Sequence, residues 1–490
     1  MPELNTHLNY RDLPEFFFSD VDNTSVTDVE FAALNTTLAE SISLDEAWLR
    51  SDDGLALLSG QSALGGGNAL AMAYGGHQFG HWSGLLGDGR AKLVGDLSDI
   101  DGLFHELHLK GSGATPYSRR GDGKATLGSA IREYVVSEAM AALGVPTTRA
   151  LSIITTGETV VRNGAEPGAI FCRTARSHLR VGTFQLAAAS GDLENVKALA
   201  DFAIDRLYPN APKTGRDRYR YFLREVVSKQ ADLVAKWMGL GFIHGVMNTD
   251  NSTISGETID YGPCAFMDEF HPGKTFSSID RNGRYAWNKQ AEMAHWNLTR
   301  LAESLLPLLG VVEDDQIKAA EEDLNSFVAK FETAFNETMT NKLGVEIEAL
   351  EKDGFLNETF KTMTRGKVDF TLFFRHLTLV AAGNPDTKVI ELFSDQELGR
   401  DWITRWKAAA KFENGKEIAL LNSMQASNPI IIPRNHRMEQ AIADANKGNF
   451  ETFKTLLGAV SEPFADRAEF SEFETPPLAT EIVHQTFCGT

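Results

Sequence analysis

The chain has little of what most specialised protein classes require. Three cysteines in 490 residues, Cys172, Cys264 and Cys488, are too few and too dispersed for a disulfide scaffold or a structural zinc site. No run approaches the roughly 18 consecutive apolar residues that cross a bilayer, so no membrane partner is expected. Internal repeats and low-complexity linkers are absent. Positive charge is scarce: 47 Lys and Arg against 67 Asp and Glu leave a formal net charge of −20. That balance argues against a general nucleic-acid or anionic-membrane binder, while leaving room for a local basic pocket that takes phosphate. The first residues, Met-Pro-Glu-Leu-Asn-Thr-His-Leu, show neither a basic start with an apolar run nor an Arg-rich transit character. A cytoplasmic location is the expectation.

What is present is an ordinary globular composition, 42% hydrophobic and 23% charged, long enough for two or three packed units. Residues 1–67 read as an N-terminal extension of loops and short helical pieces, ending in the glycine-rich stretch Gly60 to Gly67. Residues 68–190 are rich in Gly, β-branched and aromatic residues with strand-like alternation. Residues 191–460 turn helical, with long amphipathic segments near 217–239, 288–309, 314–341 and 370–382. The tail, 461–490, carries Pro463, Pro476 and Pro477 and reads as an extended arm. A strand-rich part followed by a helix-rich part predicts an α+β fold of two lobes with a cleft between them.

The most informative stretch runs from His244 to Gly262. It reads His-Gly-Val-Met-Asn-Thr-Asp-Asn, then Ser-Thr-Ile-Ser-Gly-Glu-Thr-Ile, then Asp-Tyr-Gly. β-Branched residues around a Gly-Glu turn at Gly256 predict a hairpin whose open end brings Asn251 and Asp260 together. An amide oxygen beside a carboxylate is a pair that holds Mg2+ against nucleotide phosphates. Phosphotransferases with this layout place a catalytic Asp shortly before the Asn, in His-Arg-Asp or His-Gly-Asp. Here Val246 follows His244-Gly245, and Asp250 is the nearest replacement. The competing reading is a surface hairpin with solvated Asn and Asp.

Other segments supply groups suited to a nucleotide. Gly84 to Val94 reads as strand, tight Gly87-Asp88-Gly89 turn with Arg90, then strand; the turn either approaches phosphates or closes an ordinary hairpin. Leu103 to Lys110 alternates as a strand, with Leu107 and Leu109 on one face and Glu106, His108 and Lys110 on the other. A helix follows, capped by Thr126, stopped by Gly144 and Pro146, and carrying Glu133. A strand lysine paired with a helix glutamate is how kinases fix a phosphate-binding ammonium; the alternative is that both are solvated. The loop between them, Gly111 to Lys124, is punctuated by glycines and includes Asp122 and Gly123. Arg173, Arg176 and Arg180 reverse the local charge, through either polyphosphate binding or surface ion pairing. His77 and His81 are assigned to packing or hydrogen bonds.

Jointly, the motifs around Lys110, Gly121 to Gly123, Ile131 to Tyr134, Pro146 to Leu151, Arg173 to Arg180, and His244 to Pro263 resemble the selenoprotein O (SelO) family, over nearly the whole chain. The resemblance implies a protein-kinase-like two-lobed fold and transfer of AMP from ATP to Ser, Thr or Tyr hydroxyls of proteins, or of UMP from UTP, with Mg2+ or Mn2+. It implies that Gly87, Gly89, Arg90, Lys110, Asp122, Gly123, Arg173, Arg180 and Asp260 contact the nucleotide and that Glu133 orients Lys110. By the same resemblance Asn251 and Asp260 hold the metal, Asp250 is the proton acceptor, and Cys264 with Cys488 forms a redox pair. Attack on the α-phosphorus puts developing charge on the β and γ groups, where the arginines would lie. The residues alone leave two alternatives: an atypical kinase that transfers the γ-phosphate, and a non-catalytic nucleotide-binding scaffold.

Overall fold

The computed structural model describes residues 8–487 except Ser25, Thr27, Asn163 and 411–416. Its organising element is an eight-stranded sheet. The strands are β1 (Phe18–Val21), β2 (Glu30–Leu34), β3 (Ala69–Met72), β6 (Ala91–Ser98), β7 (Phe104–Lys110), β8 (Ala125–Thr126), β9 (Arg149–Val161) and β10 (Ala165–Ala175). Two short strands, β4 (His77–Gln78) and β5 (His81–Trp82), form a separate hairpin between β3 and β6. The order across the sheet is β1-β3-β6-β7-β10-β9-β2, with β8 paired to β10. All described pairings in it are antiparallel. Among the described residues of 8–67, β1 and β2 form the two edges of this sheet. Loops and short helices connect them, as composition suggests, but the edges are closed by partners distant in sequence.

The alternation along β7 divides the sheet chemically. Leu107 and Leu109 are buried in an apolar cluster with Leu57, Leu151, Ile154 and Ile170. Glu106, His108 and Lys110 are buried on the opposite face among charged partners. Register aligns them: Lys110 lies opposite Phe171 of β10 and Ala91 of β6, and His108 opposite Arg173.

The helix Leu127–Ala142 begins where Thr126 accepts the Ser129 amide and ends before Gly144, whose φ is +74°. It buries Ile131, Val135 and Met140 in the main core. Two C-terminal helices, Asn435–Ala445 and Glu451–Val460, close over it, with Arg132 paired to Glu439 and Tyr134 edge-on to Phe453. Helices Arg216–Gly239, Gln290–Leu309 and Phe370–Ala381 match their predicted segments closely. The segment 314–341 is instead two helices, Glu313–Leu324 and Ser326–Leu343, meeting at Asn325. No helix among the described residues is long and apolar enough to cross a membrane.

Two expected hairpins are absent. Gly84 to Gly89 forms no strand, and its turn is held by loop contacts: Leu86 and Gly87 amides donate to the Tyr74 carbonyl, and Asp88 N to Met72 O. Gly87 has φ +69°, and a Cβ there would come within 2.3 Å of the Tyr117 ring. The 252–259 segment does turn at Gly256, but its arms pair outward. Thr253 bridges to Arg180 and Thr258 to Thr147, while the Thr253 hydroxyl donates across the turn to Glu257 O. The whole stretch is instead closed at its base by β11 (Phe242–Ile243) against β12 (Ala265–Phe266). The tail forms a 3-10 helix at Ala468–Glu474, then bridges Thr486 to Ser277.

Lys342, on the helix Ser326–Leu343, is buried; its ammonium donates to Ser427 O at 3.1 Å and lies 4.4 Å from the Phe374 ring centroid. Burial pushes its pKa down to about 7. The unfolded chain then holds a proton that the folded chain gives up, so stability rises with pH from about 7 to about 10.4, the ordinary lysine value. The melting temperature is expected to rise across this range relative to that of Lys342→Met. A difference independent of pH would mean that Lys342 keeps its ordinary proton affinity.

Candidate active site

Beside the charged face of the sheet lies a cavity of about 280 Å³, bounded by β3–β6 loops on one side and by the 244–263 stretch on the other. Gly89, Arg90, Lys110, Arg173, Arg180, Asp250, Asn251 and Asp260 all line it. Val246 contributes an apolar wall.

Asp260 is the centre of the charge arrangement. Its Oδ1 accepts from Lys110 Nζ at 2.8 Å and from Arg173 Nη1 at 2.8 Å. Lys110 also donates to Glu133 Oε1, and Glu133 Oε2 lies 3.9 Å from Arg173. Burial alone would raise the Asp260 pKa, but Lys110, Arg173 and Arg180 outweigh it and hold the carboxyl well below the usual range. Asp260 has φ +62°, a left-handed conformation uncommon outside glycine. The preceding residue is tied back by His244, whose Nε2 donates to Ile259 O at 2.9 Å.

Behind this group is a second layer. Arg173 Nε donates to His108 Nδ1 at 3.2 Å, which leaves His108 Nε2 to donate to Asp88 Oδ2 at 2.9 Å. Burial favours neutral imidazole at His108. Asp88 stays ionised because His108, Arg180 and Arg173 outweigh its burial. Arg180 Nη2 lies 3.8 Å from Asp88 Oδ1, and its guanidinium sits 4.3 Å from the Tyr74 ring centroid. Arg173 and Arg180 are thereby fixed before any ligand arrives.

Asp250 differs from Asp260. Burial raises its pKa to about 6, against a hydrogen bond from Gln78 and the charge of Arg180. Its Oδ1 is buried without a hydrogen-bond partner. A carboxyl with this proton affinity suits a general base near neutral pH. Asn251 Nδ2 donates to Val246 O at 3.1 Å, so its amide oxygen faces away from that bond. Both cations on Asp260 fall on Oδ1. The Asn251 amide oxygen and Asp260 Oδ2 are hard donors that suit Mg2+ or Mn2+. No group of three or more His, Cys, Asp or Glu suited to a metal occurs among the described residues, so phosphate oxygens and water would complete such a shell.

Other predicted residues lie elsewhere. Glu133 borders an adjoining cavity of about 460 Å³. Gly87 sits under Tyr117, beside the wall. Asp122 lies on the rim of the β9–β10 hairpin, where Arg162 holds its carboxylate at 2.7 Å. Gly123 packs on the Gly113 backbone. Cys264 is buried just past the cavity wall, and Cys488 lies outside the described residues. Conversely, Tyr74, Gln78, Asn248 and Ile279 line the cavity without having been singled out. The segment Tyr74 to His81 was noticed for its histidines, yet its cavity residues are Tyr74, Gln78 and Phe79; His77 packs on Trp82 and Trp296.

Comparison with known proteins meets this geometry at the family level. The family model described as protein adenylyltransferase SelO matches residues 1–461. A relative named protein nucleotidyltransferase YdiU, from Rhodopseudomonas palustris strain BisB5, is 47% identical over 484 residues, covering 98% of each chain. Its namesake from Nitrobacter hamburgensis is 46% identical over 487 residues, covering 98% of this chain and 95% of its own. A third, from Methylorubrum populi, is 47% identical over 486 residues, covering 98% and 97%. The chain belongs to the SelO family, a family of protein nucleotidyltransferases.

Glu133→Gln exchanges the ion pair with Lys110 for a hydrogen bond to an uncharged amide oxygen, which is expected to weaken nucleotide binding roughly tenfold. Calorimetric titration measures this, and an unchanged Kd would mean that Asp260 alone positions Lys110.

Proposed function

We propose that this chain transfers AMP from ATP to Ser, Thr or Tyr hydroxyls of proteins and releases pyrophosphate, within a kinase-like two-lobed fold. The observation that carries the reading is the pairing of Val246 with Asp250. The position where a γ-phosphate-transferring enzyme keeps its aspartate is apolar and lines the cavity, while a buried carboxyl of raised proton affinity stands four residues on.

In this reading the acceptor oxygen attacks the α-phosphorus and its proton passes to Asp250. The new O–P bond forms as the bond from the α-phosphorus to the bridging oxygen breaks, and the electron pair leaves on pyrophosphate. Lys110, Arg173 and Arg180 meet the charge that grows on that leaving group, being already held in place by Glu133, Asp260 and Asp88. Arg90 and Gly89 approach the nucleotide from the β3–β6 side, with Gly87 shaping the turn behind them. Asn251 and Asp260 would hold Mg2+ or Mn2+, which when bound would supply charge neutralisation on the phosphates. UTP is accommodated by the same phosphate contacts. The net charge of −20 and the relatives' names support a protein acceptor over a nucleic acid, and we infer a cytoplasmic setting.

ATP labelled on the α-phosphate is expected to label protein, while label on the γ-phosphate leaves with pyrophosphate. Protein labelling from the γ position would overturn AMP transfer in favour of phosphoryl transfer. Asp250→Asn is expected to lower labelling by roughly 10²- to 10⁴-fold, the usual contribution of a general base. Lys110→Ala and Asp260→Ala are expected to abolish labelling while circular dichroism reports a retained fold. Activity that survives in any of these variants would reject that residue's role.

A further inference from the structure

Asp250 is held from one side by the β4–β5 hairpin. Gln78 Nε2 donates to Asp250 Oδ2 at 3.2 Å. The hairpin is itself docked onto the Asp250 turn at successive residues. His77 N donates to Thr249 Oγ1 at 2.7 Å, and Phe79 N donates to Asn248 Oδ1 at 2.9 Å. Tyr285 donates to the same Asn248 oxygen at 2.7 Å, and the Gln185 amide donates to His77 Nδ1 at 2.8 Å. Gly76 makes the approach feasible: a Cβ there would lie 3.0 Å from Thr249 Oγ1 and 3.3 Å from Asp250 Oδ1. On Asp250 itself the two oxygens are unequal, since Oδ2 has Gln78 and Oδ1 is buried with no partner.

We propose that Gln78 is a positioning residue for nucleotidyl transfer: its hydrogen bond to Oδ2 sets the rotation of the Asp250 carboxylate where both side chains line the cavity. The proposal rests on Asp250 as proton acceptor. The acceptor proton goes to the Asp250 carboxylate, the acceptor oxygen bonds to the α-phosphorus, and pyrophosphate carries away the electron pair. Gln78 exchanges no proton. Its amide has one donor aimed at a carboxylate, and the backbone bonds on either side of it allow that side chain little freedom to drift.

The test uses the full chain with Mg2+ and α-labelled ATP, dephosphorylated casein as acceptor, and a non-hydrolysable α,β-methylene ATP analogue to read binding. Gln78→Met keeps the length without the donor. Gln78→Glu keeps the shape but sets a like charge beside Asp250. Both are expected to lower kcat roughly tenfold to a hundredfold, as for a lost hydrogen bond to a charged group, with the analogue's Kd and the KM for ATP changed by less than about twofold. Equal melting temperatures are expected. A kcat that stays at the wild-type level in both variants would overturn the role of Gln78 while leaving AMP transfer standing. Loss of analogue binding in parallel with kcat would also overturn it, in favour of a purely structural hairpin contact. No casein labelling by the wild type would overturn the transfer reading, and with it this role.

Discussion

Three cations, Lys110, Arg173 and Arg180, and two carboxylates, Asp88 and Glu133, are taken out of water together beside one cavity, with Asp260 half-buried among them. Removing an ion from water costs several kcal/mol even after relaxation, so none of these groups is tolerable singly. Each is paid for by a neighbour on a different element: β7 carries Lys110, β10 carries Arg173, the helix after Thr126 carries Glu133, and Asp260 comes from the far side of the cavity. The relative placement of these elements is thus constrained by charge as well as by apolar packing. Removal of one member would leave the others buried without compensation.

That constraint explains features that otherwise look unrelated. The helix Leu127–Ala142 is buried on nearly all sides because the C-terminal helices close over the face turned away from the sheet. Residues some three hundred positions apart therefore fix the depth of Glu133, through Arg132 with Glu439 and Asn435. On the opposite side, Asp260 holds a left-handed backbone between His244 and the bridge from Thr258 to Thr147. An uncommon conformation at a charged residue persists only when its surroundings over-determine it. The hydrogen bonds of the 244–260 stretch supply that.

Asp250 and Asp260 illustrate how one residue type takes two electrostatic characters within one cavity. Asp260 is surrounded by cations and remains ionised. Asp250 has a single neutral amide and a more distant arginine, so burial prevails and its proton affinity rises. Nothing in the local sequence distinguishes them; what separates them is the number of positive charges each meets.

Much of the site was legible because its signals are local. Strand alternation assigned Lys110 to the charged face of β7, and the Thr126 cap with the Gly144 stop delimited the helix that carries Glu133. Asn251, Asp250 and Asp260 were legible by type and spacing within a short stretch. Gln78 was not, because a glutamine in a two-residue strand has no local signature and its value comes from a partner 172 positions away. The partner of Asp122 was hidden for a similar reason: its glycine neighbours suggest a ligand loop, and only the fold brings Arg162 of a different segment to its carboxylate. The outward pairing of Thr253 and Thr258 likewise depends on Arg180 and Thr147, which no reading of the turn itself includes. By itself the sequence determined which groups are available and on which face of their own element they stand, since side-chain direction follows backbone period. Only the tertiary structure decided which charges meet, how deeply they are buried and which carboxyl has the higher proton affinity, because those depend on distances between elements far apart in the chain.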